Sequence, residues 1–562
     1  MRKVKWIIAL LLVTAGWQLH AQSKSDPGDE VRTVVISAFQ PEIKQHAQKI
    51  VATPAVIDSA VPAPAIDYKL IPRKMETHYD VDPIKEAKMQ GEPLNPLYHG
   101  YIKGGAGNYL SLYGEGDYSS TRSKDNEWNL HARHFSSSSS VGGPPGFSGY
   151  SDDALNLYGK KFIGKHTLDG GVDYSRNSLY FYGDDVGNYS HSKDSIHQYF
   201  NFIGAWVGLL SHYPDSTRKI NHELVLKYYY MDDHYKTSEN SVLLEGALTH
   251  KLHEEVIGLD GSVDYFSDHS LKDTSNETGI HLTPFIEAEG KKWKLKIGLS
   301  AYGEFGKEDP YYMFMPDAEA SYDIYKDVIT PYVSLSNSDV RNTYRVLTSE
   351  NPFTNPDIVG DIRNTRYKYT LTGGLKGTIS STTSYEAHGS YSGVSNAAFF
   401  VNDTLDPQHN KFTVVYDDGT LLNLHGEIGY QKSEKLRFLL KADYVRYFLD
   451  HEIQAWHTPT TRVSLSAKYS LQSKIIVTGD LFALNQQFAR EYERSAANPS
   501  IMQVNSKTLA PLVDVNLGVE YRYTKFLSAF IHFNNIGAEK YYRWNDYPTQ
   551  RFNFLAGISF IF

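Results

Sequence analysis

Between Arg462 and Gln472, apolar and polar side chains take turns without a break. Val463, Leu465, Ala467, Tyr469 and Leu471 alternate with Ser464, Ser466, Lys468, Ser470 and Gln472. A period of two puts each set on its own face of a β-strand and does not fit an amphipathic helix. The chain turns at Ser473-Lys474 and resumes with Ile475. Leu512 to Tyr523 repeats the scheme, with Val513, Val515, Leu517, Val519, Tyr521 and Tyr523 against Asp514, Asn516, Glu520 and Arg522. His166 to Ser175 does so again, Leu168, Val172 and Tyr174 opposing Asp169 and Asp173. A soluble sandwich shows such strands too. Their repetition from about Leu97 to Phe562 favours an all-β fold, a closed antiparallel transmembrane β-barrel.

The connections point the same way. Tight turns fall at Gly164-Lys165, Lys291-Lys292, Lys432 to Lys435, Ser473-Lys474 and Thr524-Lys525. Between them lie longer polar stretches, Gly183 to His197, Ser267 to Glu277, Glu350 to Asn364 and Ala489 to Lys507, expected as external loops. Short periplasmic turns alternating with long external loops mark outer-membrane barrels. Counting between connections predicts about 22 strands, an even number that places both barrel ends in the periplasm. The 42 Tyr residues suit aromatic girdles, although composition alone fits a large secreted propeller or solenoid equally well.

Met1-Arg2-Lys3-Val4-Lys5 is a basic leader, Trp6 to Trp17 an apolar core, and Leu19-His20-Ala21 a small-residue cleavage site. Residues 1–21 therefore read as a secretory signal and Gln22 as the mature N-terminus, the alternative being an N-terminal anchor helix. The apolar core is too short for a comfortable span, and no later stretch reaches about 18 apolar residues. The chain has no Cys, which suits an oxidising compartment. A net charge of -9 without a basic face argues against nucleic acid as a partner. The expected location is the cell outer membrane, with its lipid as solvent.

Residues 22–96 form a separate, Pro-punctuated segment, with Pro54, Pro62, Pro64 and Pro72 favouring extended chain. Within it, Val31, Arg32, Thr33, Val34, Val35, Ile36, Ser37 and Ala38 form a short β-type peptide that could add a strand to a partner's sheet edge. Residues 97–562 carry the barrel pattern. Its last stretch alternates Phe552, Phe554, Ala556, Ile558, Phe560 and Phe562 with Asn553, Gly557 and Ser559. That aromatic ending, Phe560 and Phe562 above all, resembles the signal read by the outer-membrane assembly machinery.

Together with Asn351-Pro352-Phe353, Phe412 to Tyr416, Asn534-Asn535-Ile536-Gly537 and Tyr541-Tyr542-Arg543-Trp544, these features resemble a TonB-dependent receptor barrel in a compact form. The resemblance implies that residues 31–38 are similar to a TonB box, contacting a TonB-like energiser, and that a surface lipoprotein could be a partner. A full receptor of this type carries a plug domain between box and barrel, and residues 39–96 are too few for one.

No HExxH, P-loop, GxSxG or Cys pair suggests an enzyme, and no cofactor is implied. Asp232-Asp233-His234, His253-Glu254-Glu255, Asp184-Asp185 and Asp417-Asp418 read as solvated polar tips, with no metal assigned. The inward face is expected to carry Glu427, Arg437, Lys441, Asp443, Lys468, Asp514, Glu520 and Arg522 along a wet lumen. Loop aromatics such as Asn188-Tyr189 and Tyr541-Tyr542 read as girdle and loop packing, or as stacking platforms for a ligand. Two functions follow: a receptor-type barrel that passes or imports a solute, or a non-transporting scaffold of an envelope complex.

Overall fold

The computed structural model describes residues 97–562 except 122, 143–145, 184–191, 214–218, 307–308, 407 and 495–501. The TonB-box-like peptide 31–38 and the signal segment lie outside the described residues. Among those described, the alternating stretches form one sheet of 22 strands, each paired antiparallel with its neighbours. The first strand, Gly100–Gly107, pairs with the last, Asn553–Ile561, from Tyr101 opposite Ile561 to Gly107 opposite Leu555. Closure removes the open edges that hydrocarbon cannot solvate.

Register fixes which side chains face lipid. Residues directly opposite each other in an antiparallel pair share a face. Leu440 lies between Ile428 and Leu465, while its neighbour Lys441 lies between Glu427 and Ser464. Ile428, Leu440 and Leu465 are exposed, as are apolar residues at matching positions around the wall, among them Leu157, Val172, Leu226, Leu244, Ile297 and Leu371. So continuous an apolar surface would aggregate in water and is the lipid face of an integral outer-membrane barrel.

The five tight turns lie where the alternation breaks, at residues 164–165, 290–292, 433–435, 472–474 and 523–526, and Gly164 takes a left-handed φ of 62° there. The external side departs from expectation. Ser267 to Glu277 is not a loop: strands Glu255–His269 and Thr274–Glu289 stay paired out to His269 opposite Thr274. Beyond the membrane both faces meet polar surroundings, so the ladder continues after the apolar alternation has ended. Much of Ala489 to Lys507 is likewise a hairpin, Gln487–Arg494 with Met502–Leu509. The segment before Asn364 is also structured, with a helix, Tyr344–Glu350, and a 3-10 turn, Pro356–Asp361.

At the closing seam, the Phe530 ring lies over Gly105 and Gly557, where a Cβ would come within 3.0 and 2.7 Å of its Cζ. Lys103 Nζ sits 4.4 Å from the centre of the same ring. Replacing Leu440 by Arg should cost about 2–4 kcal/mol near the bilayer midplane, whereas Ser464→Arg on the inward face should change stability by about 1 kcal/mol or less. Urea titration of refolding into liposomes measures both, and equal losses would contradict the assigned faces.

Candidate functional site

The eight charged residues expected inside share one face of the sheet, opposite the apolar rows. Lys441 Nζ lies 2.8 Å from Glu427, and the buried Asp443 lies 2.6 Å from His425 Nδ1. Arg437 stands opposite Gln431 and Lys468. Glu520 accepts from Arg522 Nε at 3.3 Å. Asp514 is buried and accepts 2.9 Å from Tyr541 Oη, which tethers the last external loop to the wall. Phe560 and Phe562 are exposed on the lipid face, and the Phe562 backbone exchanges hydrogen bonds of 2.9 and 3.0 Å with Gly100. Among the described residues, no group of three or more His, Cys, Asp or Glu gathers as a metal site.

Two supposed polar tips are in fact buried. Asp233 accepts from Gln198 Nε2 at 2.9 Å, the Thr237 amide at 2.7 Å and Tyr344 Oη at 2.8 Å. Asp417 accepts from the amides of His451 and Glu452 at 2.9 and 2.7 Å and so organises the 450–460 connection. Asp233, at the end of its strand, and Asp417, within the strand Phe412–Lys432, serve here as caps for neighbouring loops, which satisfies amides that have no ladder partner. Asp184-Asp185 and Asn188-Tyr189 lie outside the described residues, and His253-Glu254 forms a periplasmic turn.

These anchors hold a structure at the outer mouth. Thr343 caps the helix Tyr344–Glu350, accepting from the Val346 amide at 3.2 Å, and the Asn351 amide closes it on Leu347 O at 2.9 Å. Tyr344 and Leu347 then point into a core with Ile358 and Val359, with Phe200 and Met231 from one side of the barrel, and with Phe400 and Phe412 from the other. Seven strands separate these two sides one way round the wall and eleven the other. The core therefore bridges the mouth. Trp544 and Tyr547 of the last loop complete it; the Phe353 ring stacks on Tyr547 at 3.7 Å, and Tyr547 Oη donates to Asn410 O. Among the loop aromatics, Trp544 and Tyr547 pack inside this cap, and Tyr541 is tied to the wall.

Within the cap the buried His457 has two backbone partners. Its Nδ1 lies 2.9 Å from Phe400 O, and its Nε2 lies 3.2 Å from the Asn545 amide. One nitrogen donates and the other accepts, so the ring is neutral. Burial away from water pushes its pKa down to about 4, with the Arg543 guanidinium acting in the same direction. A second polar cluster lies on the inner wall below. Arg341 reaches Asp264 at 2.5 Å and Glu277 at 3.2 Å, and Arg366 reaches Glu304 at 2.9 Å.

The cap was not foreseen from sequence. Phe353 and Trp544 carried the signal, since large aromatics in supposed loops need a core. His457 makes the cap sensitive to acid. The unfolded imidazole binds its proton near pH 6.5 and the buried one near pH 4, so its contribution is intact above pH 6.5 and lost as pH falls toward 4. Protection factors of residues 343–362 and 541–548, taken against the intrinsic exchange rate at each pH, should therefore fall over that window, and His457→Gln should flatten the dependence.

No family model matches the sequence, and no curated protein matches it. Solved structures do align. The pyoverdine outer membrane receptor FpvA of Pseudomonas aeruginosa is 14% identical, with a TM-score of 0.57 over 84% of this chain and 79% of its own. The ferric-catecholate import receptor Fiu of Escherichia coli K12 is 9% identical, with a TM-score of 0.61 over 83% and 82%. The FrpB iron transporter of Neisseria meningitidis is 8% identical, with a TM-score of 0.63 over 84% and 82%. The chain shares with these receptors the fold of a closed outer-membrane β-barrel.

Proposed function

We propose that this protein passes a solute across the outer membrane, and that the external cap is the barrier the solute must open. The observation that carries this reading is the core of Tyr344, Leu347, Phe412 and Tyr547 bridging the mouth of a receptor-type barrel. A wide barrel with a wet, charged inner face offers a path, and a small packed core is a door that a few kcal/mol can open. The neighbours named above bind pyoverdine, import ferric catecholate or transport iron, which supports a solute of that general kind. Replacing residues 344–361 by a short Gly-Ser linker should raise the steady conductance of the purified barrel in planar bilayers several-fold. An unchanged current would mean that the cap is not the barrier.

In this reading residues 1–21 are cleaved as a signal, residues 22–96 lie in the periplasm or lumen, and residues 31–38 recruit a TonB-like energiser by adding a strand to it. The assembly machinery would insert the barrel through its last strand. Deleting residues 31–38 should abolish uptake of a ferric-siderophore panel while leaving the amount of barrel in the membrane unchanged; uptake at the full rate would remove the energised form. The scaffold reading is favoured by the brevity of residues 39–96, which are too few for a full plug. It calls for a barrel that stays closed and retains a stable partner, such as a surface lipoprotein, through detergent extraction.

A further inference from the structure

The wall is unevenly joined. Among the described residues, neighbouring barrel strands share from six to 18 ladder pairs, with a single exception. Strands Tyr311–Tyr322 and Thr330–Val340 share four, Ala318 to Ser321 against Tyr332 to Leu335, all near the periplasmic end. Beyond them, Tyr311 to Asp317 and Ser336 to Val340 run on without a ladder between them. Neither segment is frayed. Tyr311 and Tyr312 pair with Glu304 and Gly303 on one flank, and Asp339 and Val340 pair with Arg366 and Thr365 on the other. Local chemistry explains the split: Pro316 has no amide hydrogen to give, and a β-bulge between Ser336 and Ser338 throws the facing strand out of step.

The split lies at membrane depth. Phe314 stands opposite Ala301, which stands opposite Leu282, in one apolar row. Phe314 is 68% exposed where Leu282, with neighbours on both sides, is 47%. Backbone without a ladder is tolerated at this depth only where it borders protein or a polar cavity, and such a cavity is present. On the lumen side Glu304, Asp309, Tyr311, Asn364 and Arg366 line a small cleft against the split. Side chains cross behind it. Arg366 reaches over to Glu304 at 2.9 Å and covers the Tyr311 ring at 4.0 Å, and Tyr302 Oη donates to Asp339 at 3.0 Å.

We propose that this split is a lateral portal between the outer leaflet and the lumen, latched by Arg366 and Glu304, which admits an acyl-chain amphiphile. The chain slips between the unladdered strands beside Phe314. The polar head enters the cleft, where Arg366 and Asn364 donate and Glu304 and Asp309 accept. The route is independent of the external cap.

The absence of native Cys makes the test direct. Met313→Cys places a thiol on the inward face of the split, and Ser390→Cys places one on the inward face of a strand joined by 18 ladder pairs. Each full-length variant, in proteoliposomes, meets a maleimide carried on a long acyl chain and confined to the bilayer. The portal predicts labelling at residue 313 at least tenfold faster than at residue 390. Adding Arg366→Met should quicken it a further threefold or more, and Glu304→Gln removes the same ion pair should Arg366→Met fail to assemble. Labelling at residue 313 no faster than at residue 390, with or without the latch, would overturn the proposal.

Discussion

Amide groups in hydrocarbon have no water to fall back on, and each one left without a partner costs several kcal/mol. The architecture follows from that cost. A strand that crosses the bilayer must be paired on both flanks, and only a sheet closed on itself pairs every strand so. Closure in turn demands alternation, because each strand then has one lipid side and one wet side. The rows Ile428–Leu440–Leu465 and Glu427–Lys441–Ser464 show the two sides one residue apart. The four-pair junction beside Pro316 stands out against this background, since it is the place where the rule is relaxed and a polar cleft stands behind it.

Above the membrane the constraint changes. Strands there face water, need not alternate, and can end wherever side chains take over the backbone hydrogen bonds. Asp233 and Asp417 do this for the connections beside their strands, and Thr343 and Asn351 do it around the short helix. Once the backbone is satisfied, the aromatic residues of the connections are free to form a core of their own. The outer mouth is thus covered by a second core whose physics is that of a soluble domain: burial of Phe, Tyr and Trp, a neutral His, and hydrogen bonds made largely to backbone.

The contrast sets what could be read from sequence. The wall was legible because lipid imposes a period of two, as in Arg462 to Gln472, and because tight turns such as Ser473-Lys474 interrupt it cleanly. The common face of Lys441, Asp443 and Lys468 followed from the same period. The cap was not legible. Its core draws Phe200, Leu347, Phe412 and Trp544 from distant parts of the chain, and no local pattern marks residues that meet only after folding. Ser267 to Glu277 was misread for a related reason: a ladder in water keeps its hydrogen bonds but loses its apolar alternation. Asp233 and Asp417 looked like surface charges because a capping carboxylate and a solvated one are the same letter.

The make-up of the cap dictates an order of events during biogenesis. Ser137 touches Gln550 and Phe181 touches Asn410, so the cap joins segments some hundreds of residues apart. Such contacts are entropically expensive in an open chain and become cheap once the cylinder has brought its rims together. The cylinder must therefore be completed first, and the newly inserted protein passes through a stage with a fully formed wall and an uncovered mouth. What then closes over the mouth is the packing of a few aromatic side chains, among them Phe353, Trp544 and Tyr547.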